Sequence, residues 1–400
     1  MTDEPTPPPL ISTDQALAEV LPGLASGSGP VAVDTERACG FRYSQRAYLI
    51  QMKTSETGVA LIDPVDISAG AFTDLDGALK PREWILHAAS QDLPSLREVG
   101  LDPQCLFDTE VCARLLGHEK VGLGPLTEEV LSVNLAKEHA NSDWSTRPLP
   151  QDWLTYAAGD VAYLIELADA LREELAKQGK QDWAEQEFAH ILTQPPPEPK
   201  VDPWRSTTDI HTVRTKRGMA VVREVWTVRD RIAQEMDLAP HRVVNDRAIA
   251  ALAVRATETS VKPVLEALKW GDWRHRICKE HIGEFRAAVE AAGALSSEDL
   301  PPIRARHAGM PSPGLWARRN PDAAHRWETV RPAIKDLAEN LGVPVENLIA
   351  PKPLRALLWE PVGTDPDSID AQLAELDVRP WQRDLVVPMI SQMLSMDQPS

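Results

Sequence analysis

Cysteine is scarce: Cys39, Cys105, Cys112 and Cys278 are the whole complement of a 400-residue chain, and no two form a Cys-x-x-Cys pair. Thiols so few and so spaced exclude a disulfide framework and a zinc site of their own. They are expected to be small buried hydrophobes in a reduced compartment. Long apolar runs are missing as well. None approaches the roughly 18 residues that a membrane-spanning helix needs, so no contact with a membrane is expected. The start, Met1-Thr2-Asp3-Glu4-Pro5, lacks the basic lead and apolar stretch of a signal peptide. A cytoplasmic protein is the expectation. Positive charge is short too: 42 Lys and Arg face 60 Asp and Glu, a net −18. Taken as a sum, that number argues against a nucleic-acid partner, because phosphate binding needs cations.

The sum hides an uneven distribution. Residues 1–200 carry 15 basic and 32 acidic side chains, residues 205–331 carry 22 and 16, and residues 332–400 carry 5 and 11. The chain is therefore an acidic half, a basic middle and an acidic tail. The first sign change falls at Pro195-Pro196-Pro197-Glu198-Pro199-Lys200-Val201-Asp202-Pro203, a segment fit for neither helix nor central strand. A second break spans 301–321, with Pro301, Pro302, Pro311, Pro313 and Pro321. The breaks divide the chain into folded units at 10–192, 205–293 and 322–397, with linkers at 193–204 and 294–321. With 43% apolar residues, each unit has the means to build a core.

The first unit mixes periodicities. Val31–Glu36 alternates like a strand, Ala47–Met52 and Val59–Pro64 read as its hairpin partners, and Trp84–Ala88 is a further short apolar run. Helical spacing follows at Thr109–Leu116, at Leu126–Leu131 and from Asp152 to Leu175. This is the pattern of an α/β sheet domain. The other two units read as all-helical. At an offset of 105 they match in apolar character at Val222/Trp327, Val225/Val330, Ile232/Leu337, Met236/Leu341, Val243/Leu348, Val244/Ile349, Ile249/Leu354 and Leu252/Leu357. A duplicated helical module is the simplest account.

Carboxylates stand out in the first unit. Asp34 and Glu36, two apart on a strand, leave the same face of the sheet. They are either a solvated strand end or oxygen ligands converging on a divalent cation. Asp92 follows His87-Ala88-Ala89-Ser90-Gln91 and either caps the next helix or joins such a site. Tyr156 and Asp160 are four apart and share a helix face. Asp160 sits among Ala157, Ala158, Gly159 and Val161, an apolar setting that calls for a cation or a strong donor. Four carboxylates can hold two Mg²⁺ or Mn²⁺ ions about 4 Å apart, the arrangement for phosphoryl displacement. A phenol beside them can orient a water or accept its proton.

Asp34-Thr35-Glu36, His87-Ala88-Ala89-Ser90-Gln91-Asp92-Leu93 and Tyr156-Ala157-Ala158-Gly159-Asp160 resemble, in order, the three exonuclease motifs of the DEDD superfamily, tyrosine subclass. Lys137 with Ser142-Asp143-Trp144-Ser145-Thr146-Arg147-Pro148-Leu149 is similar to a stretch typical of ribonuclease D. Arg217–Ala253, and less clearly Trp327–Trp359, resemble the helicase-and-RNase-D C-terminal (HRDC) domain. The resemblance implies an RNase H-like exonuclease domain, a mixed sheet flanked by helices, followed by two all-α HRDC-like bundles. It implies a 3′→5′ exoribonuclease that releases nucleoside 5′-monophosphates from RNA 3′ ends, such as those of tRNA precursors, with two divalent cations (Mg²⁺ or Mn²⁺). Asp34, Glu36 and Asp160 would bind the cation carrying the attacking water, Asp34 and Asp92 the second, and Tyr156 would position that water. Lys137, Trp144 and Arg147 would be near the substrate, with core packing of Trp144 and an ion pair of Arg147 as alternatives. His87 is either a core histidine or a substrate contact. The chain departs from the family pattern at Arg37, where an aromatic or apolar residue is usual, and at Glu138 and Asn141.

In the middle of the chain, Arg214, Lys216, Arg217 and Arg223 form one basic cluster, and Trp270, Trp273, Arg274, His275, Arg276 and Lys279 a second that interleaves aromatics. Stacking with phosphate neutralisation is how single strands are held without sequence readout. Docking onto the catalytic unit is the alternative use. Two rivals stand beside the exoribonuclease: a single-stranded DNA 3′→5′ exonuclease, and a binding or scaffold protein with an inactive site.

Overall fold

A computed structural model describes residues 7–136, 139, 141–196, 198–304 and 310–396. Six strands, β1 (Leu10–Ile11), β2 (Val31–Arg37), β3 (Ala47–Thr54), β4 (Gly58–Ile62), β5 (Glu83–Leu86) and β6 (Cys105–Asp108), form one sheet in the order β1-β4-β3-β2-β5-β6. β2 runs antiparallel to β3 and parallel to β5, so the sheet is mixed. Val31, Ala32 and Val33 have no exposed surface, which is the pattern of a central strand covered on both faces. The β3–β4 hairpin closes at Gly58, whose positive φ of 71° suits a residue without Cβ. The hairpin partners expected from the sequence are thus present. β1 and β6, too short to show a period, carry no sequence signal of their own.

Among the described residues eight α-helices complete this unit: α1 (Asp14–Ala25), α2 (Ala69–Leu79), α3 (Ala89–Glu98), α4 (Thr109–Leu116), α5 (Leu123–Leu131), α6 (Gln151–Ala162), α7 (Leu164–Gln178) and α8 (Gln181–Thr193). Thr13 and Ser68 cap α1 and α2 with their hydroxyls. The single helix expected over Asp152–Leu175 is two. Tyr163 leaves helical geometry (φ −121°, ψ 10°), because the two halves cover largely different ground: α6 packs on β2, β3 and β4, and α7 chiefly on α4, α5 and β5. Lys53 bonds the Ala162 carbonyl at the break and pairs with Glu166 at 2.9 Å. Cys112 and Cys278 are buried as expected, whereas Cys39 and Cys105 are exposed.

The two helical units share the spacing of their helix starts. Helices begin at Lys216, Pro240 and Asp246, and again at Pro321, Val345 and Pro351, each start 105 residues later. The two copies are used differently. Residues 204–292 bury a core of their own, built on Val222, Val225, Ile232, Phe285 and Val289. The second copy shares one continuous apolar core with the sheet unit. Trp381, 2% exposed, stacks on Trp183 of α8 with centroids 4.7 Å apart. The Lys180 ammonium ties the same seam, donating to the carbonyls of Leu115 (2.7 Å) and Leu341 (2.9 Å). Among the described residues no helix is long and apolar enough to cross a membrane.

Removing the stacked indole leaves a cavity in that shared core. Trp381→Ala is expected to lower stability by about 3–5 kcal/mol, measured as a drop in the denaturation midpoint. An unchanged midpoint would show that this contact does not hold the seam.

Candidate active site

β2 delivers Asp34 and Glu36 to one face of the sheet, and α6 lies across that face and adds Asp160. One oxygen from each of the three carboxylates lies within 4.8 Å of the other two. Tyr156, one turn before Asp160, lines the same cleft of about 600 Å³. Asp92 enters from α3 on the other side of the strand. It accepts from Thr35 Oγ1 at 2.7 Å, and the Arg37 guanidinium stands 3.8 Å away. Asp92 is therefore no helix cap. It lies inside the first turn of α3, fixed by the residue between Asp34 and Glu36.

α3 itself is placed by a side chain from the end of the next strand. Ala88 takes a left-handed conformation (φ 61°) and offers no side-chain cap. The buried Asp108 carboxylate, at the end of β6, accepts from the backbone amides of Ala88 (3.1 Å), Ala89 (2.7 Å), Glu110 (2.9 Å) and Val111 (3.1 Å). One side chain thus secures the starts of both α3 and α4. Asp108-Thr109 ahead of a helical period was a readable cap signal for α4. The bonds to Ala88 and Ala89, nearly twenty residues back, were not.

The electrostatics are those of like charges held out of water. Burial first, then Asp34, pushes Glu36 up to about 10. Burial raises Asp160 to about 7 and Asp92 to about 6, and it raises Asp34 well above the usual carboxylate range, Asp92 and Asp160 adding to the effect. Tyr156 is raised by burial and by Asp160, so the phenol keeps its proton. His87 also lines the cleft, hydrogen-bonds Thr109 Oγ1 at 2.9 Å and is pushed down by burial to about 4, hence neutral. An all-oxygen donor set, short of positive charge, fits hard divalent cations and little else.

Other residues singled out from the sequence go elsewhere. Trp144 has no exposed surface and packs edge-on to Trp153 at 5.3 Å. Its expected contact with nucleic acid gives way to core packing. Arg147 clamps Asp63 through two bonds of 2.7 and 2.8 Å and donates to the carbonyls of Tyr48 and Trp144, so its donors are spent inside the protein. Lys137 lies outside the described residues. In the basic middle, Arg217 caps a helix end by donating to the carbonyls of Ala292, Gly293 and Leu295. Trp273 is buried, while Trp270 is 66% exposed.

The fold and the cleft together define a metal-dependent 3′–5′ exonuclease. Residues 9–176 match the family described as 3′-5′ exonuclease, residues 219–268 the HRDC domain, and residues 309–394 the 3′ to 5′ exonuclease C-terminal domain. The chain is 32% identical over 311 residues to ribonuclease D of Nitrobacter hamburgensis, covering 74% of this chain and 76% of that protein. A crystal structure of a protein from Bifidobacterium adolescentis superposes with a TM-score of 0.83 at 35% identity, covering 97% of both chains. That of Escherichia coli RNase D, described as an exoribonuclease involved in structured RNA processing, gives 0.68 at 26%, covering 98% and 99%. The chain belongs to the ribonuclease D family, and it is a 3′–5′ exoribonuclease. The second helical copy, expected to be HRDC-like, is thus matched by a different description from the first.

Carboxylates whose pKa is raised in the folded chain favour their protonated forms. In metal-free protein that contribution to stability is full below the ordinary 3.8 and is lost as pH rises through about 6 for Asp92 and about 7 for Asp160. Metal-free wild type is therefore expected to lose stability between about pH 4 and pH 7 through these groups. Asp160→Asn, which removes one buried charge, should flatten that loss. Calorimetry in chelator measures it, and a variant with the wild-type pH dependence would contradict it.

Proposed function

We propose that Asp34, Glu36 and Asp160 hold one divalent cation and that Asp34 and Asp92 hold a second, Mg²⁺ or Mn²⁺. The convergence of the three carboxylates within 4.8 Å carries the reading. Bound there, such ions supply Lewis-acid stabilisation of the charge that builds on phosphate oxygens. The residues do the rest. Asp34, Glu36 and Asp160 would hold the cation that draws the 3′-terminal phosphodiester to the sheet face. Tyr156, a protonated phenol, orients the attacking water. The water oxygen bonds to phosphorus, the bond to the preceding 3′-oxygen breaks, and that oxygen leaves with a proton. The product is a nucleoside 5′-monophosphate, and no covalent intermediate with the protein is formed.

The proposed substrates are 3′ ends of structured RNA such as tRNA precursors, handled in the cytoplasm. The structured-RNA role of the Escherichia coli relative supports that choice. We assign capture of the RNA to the basic middle, with 205–293 as an HRDC-like unit. The unit at 322–397 is a second, divergent copy that buttresses the catalytic domain. Single-stranded DNA is the rival substrate.

Trimming of end-labelled ribo- and deoxyribo-oligonucleotides in Mg²⁺, Mn²⁺ or chelator tests the proposal. Mononucleotide release from the ribo strand is expected only with metal. Asp160→Ala should lower the rate about 10²–10³-fold, the scale of losing one electrostatic anchor. Tyr156→Phe should cost about 10²-fold. Equal release by wild type and Asp160→Ala would place the chemistry elsewhere, and faster release from the deoxy strand would favour the rival.

A further inference from the structure

The cleft is poor in cations. Asp34, Glu36, Asp92 and Asp160 line it, and among its described lining residues Arg37 is the single Lys or Arg. A phosphodiester brought there adds negative charge to a site already crowded with it.

Arg37 is set for that task by its place in the strand. Pairing of β2 with β3 shifts register between Glu36 and Arg37, an irregularity that takes the strand end out of the regular ladder. The side chain is 24% exposed, and its guanidinium stands 3.8 Å from the Asp92 carboxylate, beyond hydrogen-bond range. Several other arginines of this unit direct donors to partners inside the protein. Arg147 grips Asp63 at 2.7 and 2.8 Å, Arg42 bonds Ser145 at 2.7 Å, and Arg82 reaches the carbonyls of Gly29, Leu24 and Ser26. A cation kept only to neutralise Asp92 would sit as Arg147 does on Asp63. Among the described residues Arg37 has no such partner, and its planar fork matches phosphate oxygens.

We propose that Arg37 is a substrate-binding residue whose guanidinium grips the phosphate next to the scissile one, beside Asp92. The scissile phosphate faces the cluster of Asp34, Glu36 and Asp160. Asp92 lies outside that cluster, so the neighbouring phosphate is the one Arg37 meets. The inference rests on the reading of this cleft as the exoribonuclease site.

The test uses the full chain in Mg²⁺ with a single-stranded oligoribonucleotide. Arg37→Gln should raise KM about tenfold, as expected for losing a charge-assisted bond. The fall of log kcat/KM with log salt should be shallower by about 0.7, one phosphate contact on a single strand. Arg37→Lys should keep the wild-type slope. A methylphosphonate at the linkage next to the scissile one should raise KM for wild type and not for Arg37→Gln. That comparison within each enzyme decides even where the variant is less stable. A neutral linkage that costs both enzymes equally, or a wild-type KM and salt slope in Arg37→Gln, overturns the inference. So does a variant altered only in its Mg²⁺ dependence, which marks a counter-ion of Asp92. Wild type that trims no RNA with metal sinks the site reading, and Arg37's role with it.

Discussion

Like charges packed into one partly buried cleft are the constraint on which the rest of the structure depends. Carboxylates with oxygens within 4.8 Å of one another repel, and burial strips them of the water that would screen them. The protein holds them by rigid means. Asp34 and Glu36 ride on β2, whose Val31, Ala32 and Val33 have no exposed surface. Asp160 rides on α6, pressed onto three strands. Asp92 is gripped by Thr35, and its helix is pinned by the Asp108 carboxylate. The resulting excess of negative charge is what gives divalent cations their hold, and it makes each nearby cation count.

The helical units answer to that core in different ways. The second copy is fused to the catalytic unit through a shared apolar core, the Trp183–Trp381 stack and the Lys180 clamp. The first keeps its own core and meets the catalytic unit at the loop that follows β2. There Tyr43 bonds Asp230 at 3.2 Å, Asp237 accepts from Ser44 N at 2.9 Å, and Arg242 donates to the Gly40 carbonyl at 2.9 Å while lying over Phe41. The basic middle is thereby tied to the strand that carries Asp34, Glu36 and Arg37. The net −18 is a poor guide to such a molecule, because its acidity and its basicity occupy different units.

How much was legible in advance varied with the range of the interaction. Asp34 and Glu36 were readable as a pair because strand alternation is local, and Asp160 because a carboxylate among small apolar residues on a helix is out of place. The offset of 105 was readable because two helical copies bury the same face. Trp144 and Arg147 were ambiguous, since a tryptophan or an arginine serves core or substrate equally well in a string of letters. Their surroundings, Trp153 for one and Asp63 for the other, lie at other points of the chain. The break at Tyr163 was hidden for a similar reason: both halves keep a helical period, and only the sheet beneath separates them.

The sequence by itself determined the donor chemistry, the order of the units and the separation of charge, all properties of residue type and near-neighbour spacing. Tertiary structure decided which carboxylates meet, that Asp108 sets the start of α3, that one helical unit is welded to the catalytic unit while the other is docked, and that Arg37, among the described residues, keeps its donors unspent. Those outcomes rest on contacts between segments tens to hundreds of residues apart, fixed only when the sheet and its covering helices close on a common core.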